Sequence, residues 1–258
     1  MKFIRAFWGD LDYDNNGLRK EIKETSINER LSRFGKLDMV VYVWGTKNEE
    51  YIKSLGYTTI KMSSKSTEYA DDIVDGAAKF FVHKYAAMRA AIEDYGACVF
   101  LDWDAYQVQK LNEDFYKKLD SDILVPLYSY PSDYLDNVMP SLDTDSKKEF
   151  VRRYNDEMFN YSYRLDGDII IPCSCYMYCS SVKVIDEFLK ILYENNGIYS
   201  DEFVWYIYAS QYCNDLDEYI RKFEPSGCDA KLDDHYNQKN LKKYISKIKT
   251  KNLYFQHR

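Results

Sequence analysis

Residues 97–104 read Ala-Cys-Val-Phe-Leu-Asp-Trp-Asp, an apolar run that leads directly into two aspartates separated by one residue. The run is short, contains Val and Phe and follows Gly96, which predicts a strand buried on both faces in a parallel sheet. Ligands bind at the carboxyl ends of such strands in open α/β sheets. Two carboxylates at that edge repel each other, and a divalent cation with hard oxygen ligands relieves the repulsion. We therefore expect Asp102 and Asp104 to hold a metal ion and, through it, the diphosphate of a substrate.

A purely structural explanation of the two aspartates stands beside this one. An Asp at a strand end can cap the helix that follows, and Asp-x-Asp triplets arise often by chance in a chain with 42 acidic residues. Short motifs therefore carry a known risk of false positives. The buried strand in front of the triplet favours the ligand-binding interpretation.

The chain before this stretch alternates apolar strands with helices. The patterns predict strands at 2–8, 39–44 and 58–62, and helices from Ser26 to about Phe34, at 47–55 and at 76–95. Residues 26–29, Ser-Ile-Asn-Glu, resemble a capping box, and Gly56 is placed to end the second helix. This β-α-β order predicts parallel strands joined by helical crossovers.

The chain after it is more varied. Helices are predicted at 107–119, 145–161, 182–193, 202–212 and 238–249, and strands at 122–127, 219–223 and, broken near Pro172, 169–179. No internal repeat or low-complexity linker is found, so residues 1–258 are expected to form a single domain. The fold class that follows is α/β, with a mixed, mostly parallel central sheet flanked by helices.

Length and composition exclude several classes of function. The chain has 258 residues, of which 46% are hydrophobic, enough for one large α/β domain. It contains no apolar run of the length that spans a bilayer and no signal-peptide pattern. A net charge of −7 argues against general nucleic-acid binding. Six cysteines without a zinc-site spacing are expected to be buried and reduced. We expect a cytoplasmic protein with no membrane span and no nucleic-acid partner.

Two basic residues lie in the otherwise apolar helix 76–95. Lys84 and Arg89 are expected, by default, to extend along apolar surface and keep their charges in water. The functional alternative is that they approach a diphosphate beside the two aspartates.

Two acidic residues, Asp201 and Glu202, follow Ser200 at the start of a predicted helix. Acidic side chains stabilise a helix N-terminus, and this structural role alone is enough to explain why Asp201 and Glu202 are there. The functional alternative makes one of them a base or a ligand for an acceptor hydroxyl.

Residues 83–104 carry a resemblance to a known family. They resemble the segment of the GT-A nucleotide-sugar glycosyltransferases in which a helix with a basic residue is followed by Tyr-Gly-Gly and an aliphatic strand ending in Asp-x-Asp. Here the middle reads Tyr95-Gly96-Ala97, a modest departure. The resemblance implies a GT-A-like, Rossmann-like fold, with residues 1–128 as the nucleotide-sugar-binding half and 129–258 as the acceptor half.

The resemblance also implies roles for individual residues. Asp104 would ligate a Mn²⁺ or Mg²⁺ ion that bridges the donor diphosphate, and Asp102 would contact the ribose, the sugar or the same metal. The other implied roles are donor binding for Trp8, Gly9, Asp10, Trp44, Lys84 and Arg89, catalysis facing the acceptor for Asp201 and Glu202, and metal ligation for His257. Trp44 has an ordinary alternative, because a buried Trp is more often packing.

The reaction that the resemblance implies is transfer of a sugar from a nucleoside-diphosphate sugar, with UDP-sugars favoured, to a hydroxyl of a glycan or other acceptor. Surface glycan or polysaccharide synthesis is the expected setting. A phosphatase or phosphotransferase of the haloacid-dehalogenase type also uses Asp-x-Asp after a strand, but near the N-terminus and usually followed by Thr or Val, whereas Ala105 follows here. A non-catalytic sugar-binding protein of the same fold is the other alternative, since fold alone does not fix function.

The carboxyl-terminal region raises two further points. The helix predicted at 238–249 has a basic face, which is usually only solvated but could contact an acidic membrane surface peripherally. Residues 252–256, Asn-Leu-Tyr-Phe-Gln, resemble part of a protease site used to remove tags. Lys251 stands there in place of the usual Glu, which favours native sequence.

Overall fold

Parallel strands joined by helices make up the first part of the chain. The computed structural model describes residues 1–8, 17–63, 78–119, 123–124, 127–131, 163–165, 168–172, 174–194, 204, 207–208, 228–230 and 255–257. The first elements are β1 (Lys2–Phe7), α1 (Gly17–Arg30), β2 (Met39–Trp44), α2 (Thr46–Ser54), β3 (Thr58–Met62), α3 (Ala78–Tyr95) and β4 (Cys98–Leu101). Nearly every residue of β1, β2 and β4 is buried, as expected for strands covered on both faces. The predicted β-α-β alternation is confirmed, and the predicted bounds of β2 and β3 agree with the structure.

The remaining elements complete a mixed sheet. They are β5 (Ala105–Gln107), α4 (Glu113–Lys118), β6 (Ile123–Leu124), β7 (Leu127–Pro131), β8 (Tyr163–Leu165), β9 (Asp168–Pro172), β10 (Tyr176–Cys179), α5 (Val182–Glu194), β11 (Cys228–Ala230) and β12 (Phe255–His257). The central sheet has the strand order β3-β2-β1-β4-β10-β6. β1 is parallel to β2 and β4, and β2 to β3, whereas β10 is antiparallel to β4 and β6. This is the mixed, mostly parallel sheet with flanking helices that the sequence predicts.

The predicted start of the first helix is wrong. α1 begins at Gly17, and Ser26 lies inside it as a buried residue. Its hydroxyl donates to the backbone carbonyl of Leu55 at 3.1 Å, at the end of α2. The side chain therefore satisfies a neighbouring helix terminus and does not cap its own helix.

The helix predicted at 107–119 is shorter than expected. It begins at Glu113, where the side chain of Asn112 caps it by accepting from the backbone N–H of Phe115 at 3.1 Å. The predicted first residue, Gln107, instead ends β5, which pairs antiparallel with β12. This pairing joins positions far apart in the chain, so local periodicity does not reveal it.

The strand-like regions predicted at 122–127 and 169–179 each divide in two. The first becomes β6 and the start of β7, and the second becomes β9 and β10, with the break near Pro172 that the sequence predicts. β7, β9 and β8 form a small antiparallel sheet. β11, β12 and β5 form a second small sheet, in which β12 is parallel to β11 and antiparallel to β5. The second small sheet is the one that reaches the Asp-x-Asp turn.

The core lies on both sides of the central sheet. α5, confirmed close to its predicted bounds, packs on α3 through Tyr85 and Phe188, whose ring centroids are 5.4 Å apart. Phe255 is fully buried on the other side, with its ring 6.0 Å from that of Phe3 and 5.2 Å from that of Tyr176. Three of the cysteines are buried thiols, as expected: Cys98, Cys175 and Cys179.

Several sequence predictions fall outside the described residues. These are the helices 145–161 and 238–249, the strand 219–223 and most of the helix 202–212, of which Val204 and Tyr208 are described as helical and buried. In the part of the chain that the structure describes, no helix combines the length and the apolar composition needed to cross a bilayer.

Candidate functional site

The two aspartates lie in a tight turn at the carboxyl end of β4. The backbone N–H of Asp102 donates to the carbonyl of Cys175 at 2.8 Å, and that of Ala105 donates back to the carbonyl of Asp102 at 3.0 Å. Because β1 to β4 are parallel, their carboxyl ends share this edge of the sheet. The Asp102 side chain is 35% exposed, and Asp104 is half-buried with its Oδ1 shielded from solvent. The structure thus places both carboxylates at the edge where ligands bind in such sheets.

Trp103, between the aspartates, anchors the turn. It is buried, and its indole Nε1 donates to the carbonyl of Ala6 at 2.9 Å. Its own carbonyl accepts from the hydroxyl of Thr25 at 2.5 Å. The middle residue of the triplet is therefore bound to β1 and α1, which fixes the two residues on either side of it.

The default interpretation of Lys84, in which its charge stays in water, is wrong. Its side chain is only 4% exposed, and its Nζ lies 3.2 Å from Oδ2 of Asp102 and 3.2 Å from the hydroxyl of Ser174. The ammonium also lies 4.9 Å from the centre of the Phe100 ring, a favourable cation–π distance. α3 thus delivers a buried positive charge to the Asp-x-Asp turn, as the functional alternative requires.

Arg89, five residues further along α3, binds other partners. Its Nε donates to Oδ1 of Asp186 on α5 at 2.7 Å, and its Nη1 donates to Oε1 of Glu93 at 2.6 Å. Partial burial works against its charge, but these two carboxylates outweigh that effect and raise the pKa of Arg89. The structure brings Lys84, and not Arg89, into contact with Asp102.

An aromatic cluster lies at the same edge. Trp8 follows β1 and Trp44 ends β2, and both contact His83 on α3. The rings of Trp8 and His83 are stacked 5.4 Å apart with an angle of 6° between them, and Trp44 meets His83 edge-on at 4.9 Å. Both tryptophans predicted to bind the donor therefore lie together. His83 was missed, and its position directly before Lys84 is the signal that could have found it.

Arg5 is the second residue that sequence reasoning missed. It is fully buried on β1, and its guanidinium contacts the backbone of the Asp-x-Asp turn and the carboxylate of Glu29. A charged residue in the apolar run 2–8 was the available signal.

β12 brings the end of the chain back to the turn. In the antiparallel pairing of β12 with β5, His257 is opposite Ala105, the residue after Asp104. The backbone of His257 is therefore next to the turn that carries the two aspartates, although more than half of the sequence separates them. This placement agrees with the predicted metal-ligand role, which itself stays a prediction.

The other predicted site residues lie outside the described part of the chain. These are Gly9 and Asp10, which follow Trp8, and Asp201 and Glu202, which precede the described Val204. Their roles stay predictions.

The chemistry of the edge fits a hard divalent cation. Carboxylate oxygens suit Mg²⁺ and Mn²⁺, and Asp102 and Asp104 supply them within one turn. Among the described residues, no group of three His, Cys, Asp or Glu side chains converges as a metal site. The third predicted ligand, His257, pairs with Ala105 beside this turn, and its role stays a prediction.

A cavity of about 270 Å³ lies away from this edge. Its lining includes Met39 and Thr58, the first residues of β2 and β3, together with Glu29 and Tyr57. It thus lies at the amino ends of the parallel strands and contains none of the predicted site residues.

Comparisons with known proteins bear on the fold. No family model matches this chain. No match is found among curated protein sequences. The structure of mouse xyloside xylosyltransferase 1 in its apo form is similar, with a TM-score of 0.55 at 9% sequence identity, covering 100% of this chain and 96% of that one.

Two other solved structures are more distant. The bifunctional glycosyltransferase WbbM gives a TM-score of 0.47 at 13% identity, covering 99% of this chain and 45% of that one. The galactosyltransferase LgtC, in complex with donor and acceptor sugar analogues, gives 0.46 at 10% identity, covering 100% and 86%. The similarity to the mouse enzyme extends over the whole chain and identifies the fold as GT-A-like.

Proposed function

We propose that this chain is a metal-dependent glycosyltransferase that moves a sugar from a nucleoside-diphosphate sugar, a UDP-sugar in the favoured case, to an acceptor hydroxyl. We further propose that it acts in the synthesis of a surface glycan or polysaccharide. The observation that carries the proposal is the carboxylate pair Asp102 and Asp104 at the carboxyl edge of a GT-A-like sheet, with the buried ammonium of Lys84 against Asp102. The similarity to a xylosyltransferase over the whole chain supports the same class.

The carboxylates would hold the metal ion. Asp104 and Asp102 are its ligands from the turn, and His257 joins them from β12. A bound Mn²⁺ or Mg²⁺ supplies positive charge that stabilises the diphosphate as it leaves. The turn contributes by holding two carboxylates in fixed positions, so little reorganisation is needed when the ion binds.

Lys84 would supply a second positive charge at the same place. Its burial against Asp102, Ser174 and the Phe100 ring shields the ammonium from water, and a charge shielded from water acts more strongly on a phosphate than one that is solvated. In this role Lys84 stabilises the charge that develops on the departing diphosphate. Arg89, held by Asp186 and Glu93, is the weaker candidate for this contact.

The nucleoside would lie along the ends of β1 and β2. Trp8 and Trp44 offer aromatic surface there and His83 holds the two rings together, while Gly9 and Asp10 follow directly in the chain. Aromatic rings bind nucleobases by stacking without requiring a specific base. The nucleobase of the donor therefore has to be identified by binding measurements.

The acceptor would be bound by the second half of the chain. If the reaction inverts the sugar configuration, Asp201 or Glu202 removes the proton from the acceptor hydroxyl. If it retains the configuration, no such base is needed, and the pair instead binds the acceptor.

The proposal is tested by a screen of nucleoside diphosphates with and without Mn²⁺. We expect the thermal midpoint of the protein to rise with one nucleoside diphosphate, UDP in the favoured case, and only when Mn²⁺ or Mg²⁺ is present. Slow metal-dependent hydrolysis of the matching nucleotide sugar is expected as well. Binding without hydrolysis would favour the non-catalytic sugar-binding alternative, and the absence of metal-dependent binding to any nucleoside diphosphate would contradict the proposal.

A further inference from the structure

Arg5 binds the backbone of the turn that carries the two aspartates. Its Nη1 donates to the carbonyl of Leu101 at 3.4 Å and to that of Asp102, and its Nη2 donates to the carbonyl of Ala105 at 2.7 Å. The three carbonyls belong to the end of β4, the turn and the start of β5. One guanidinium thus connects the residues before, within and after the Asp-x-Asp turn.

The burial of this charge requires an explanation. Arg5 is 0% exposed in the middle of a strand whose neighbours Ile4 and Ala6 are buried apolar residues. A buried charge is costly unless it is paired and hydrogen-bonded. A guanidinium can meet several acceptors at once because its donors lie in a rigid planar fork, and a turn with three converging carbonyls offers them.

A second layer holds the guanidinium in place. Glu29 on α1, whose side chain is 17% exposed, accepts from Arg5 Nη2 at 2.6 Å through Oε1 and from the hydroxyl of Tyr57 at 2.6 Å through Oε2. The Tyr57 ring meets that of Trp103 edge-on at 5.7 Å, and the Arg5 guanidinium lies 5.2 Å from the same ring. The contacts therefore form a closed circuit that includes the middle residue of the triplet.

We propose that Arg5 is a positioning residue that holds the Asp102–Ala105 turn in the conformation that binds the metal–diphosphate group, and that Glu29 and Tyr57 hold Arg5. The proposal rests on the proposed function, since it gives the turn a ligand. Arg5 contacts backbone oxygens, not the carboxylates, so it acts through the turn and has no direct role in the reaction. Its charge also offsets the partial negative charges of the three carbonyls that it binds.

The test compares three variants with one matched control. Arg5→Lys keeps the charge but loses the fork, Glu29→Gln weakens the partner of Arg5, and Tyr57→Phe removes only the phenol hydroxyl. Leu189→Ala on α5 is the control, because it creates a cavity in the core at a fully buried residue away from the turn. Each protein is examined by hydrogen exchange of the backbone amides of Asp102 and Ala105, and by titration with Mn²⁺ in the presence of UDP.

We expect faster exchange at Asp102 and Ala105 in Arg5→Lys and Glu29→Gln, a smaller change in Tyr57→Phe, and none specific to the turn in Leu189→Ala. The dissociation constant for Mn²⁺ in the presence of UDP should rise by about 10- to 100-fold in Arg5→Lys and Glu29→Gln, the range known for residues that support metal ligands. Unaltered exchange and Mn²⁺ affinity in the folded variants would overturn the proposal. If Arg5→Lys and Glu29→Gln fail to fold, Tyr57→Phe decides. If the wild-type protein binds no Mn²⁺ with UDP, the proposed function fails, while the exchange data still show whether Arg5 holds the turn.

Discussion

The ammonium of Lys84 lies 3.2 Å from Oδ2 of Asp102, with the lysine side chain 4% and the aspartate side chain 35% exposed. The positive partner of this ion pair is thus buried, while the negative partner reaches the surface of the edge. Removal of Asp102 would leave the buried ammonium without a counter-charge, which is costly. Removal of Lys84 would leave a carboxylate that water can reach, which costs less.

Stability measurements on this pair should show that asymmetry. We expect Asp102→Asn to lower the free energy of unfolding by about 1 to 3 kcal/mol, less than for a fully buried pair because Asp102 is partly exposed. Lys84→Met removes the buried charge and keeps most of the volume, so we expect a change within about 1 kcal/mol. Urea denaturation of both variants checks this, and a greater loss of stability in Lys84→Met than in Asp102→Asn would show that the ion pair is not organised as described.

Trp8 should contribute to donor binding through its ring. Loss of a ring that stacks on a base typically costs about 1 to 3 kcal/mol, so Trp8→Ala should weaken UDP binding by about 5- to 150-fold in a metal-containing buffer. Tyr116→Ala is the matched control, since Tyr116 is an exposed aromatic residue on α4. Isothermal titration calorimetry gives both values, and equal affinities for the two variants would remove Trp8 from the site.

Substitutions of Phe255 and His257, both on β12, should have different effects, the first on stability and the second on metal binding. Phe255 is fully buried among aromatic rings, so Phe255→Ala should lower the free energy of unfolding by about 3 to 5 kcal/mol. His257→Ala should leave the free energy of unfolding nearly unchanged but weaken Mn²⁺ binding in the presence of nucleotide. The pair of measurements is decisive, because a His257 variant with full Mn²⁺ affinity would exclude it as a ligand.

The Arg5–Glu29–Tyr57 circuit should affect stability at high pH. Burial, followed by the charge of Glu29, raises the pKa of Tyr57 well above its usual value of 10.0. The folded protein therefore keeps a proton that the unfolded chain releases above about pH 10, so stability falls as pH rises through that range and is unaffected below it. Thermal midpoints measured from pH 8 to about 11 should decline less steeply in Tyr57→Phe than in the wild type. Part of the decline should remain, because burial also raises the pKa of Tyr42.

The sequence predicts the central part of the fold well because each strand there is signalled locally. The apolar runs at 39–44 and 97–101 and the break after 169–172 all correspond to strands or strand ends in the structure. Ser26 shows the limit of local motifs, since the residues fit a capping box but the helix around them is longer and buries the serine against α2.

The site is only partly visible in sequence, for reasons of distance along the chain. Asp102, Asp104 and Lys84 belong to one helix–strand unit, so their proximity follows from local pattern and resemblance. The approach of His257 to Ala105 depends on a strand pairing across most of the chain. Likewise, the contact of Arg5 with the turn depends on the parallel pairing of β1 with β4, which no spacing in the sequence specifies.

The most direct test of the central claim is the Mn²⁺ dependence of UDP binding in Asp104→Asn, measured by titration calorimetry beside Asp114→Asn, which changes an exposed carboxylate on α4 in the same way. We expect Asp114→Asn to bind Mn²⁺ and UDP like the wild type, and Asp104→Asn to lose the metal-dependent part of the affinity while remaining folded. Equal Mn²⁺-dependent affinity in the two variants would contradict the claim that the Asp-x-Asp turn holds a metal–diphosphate group.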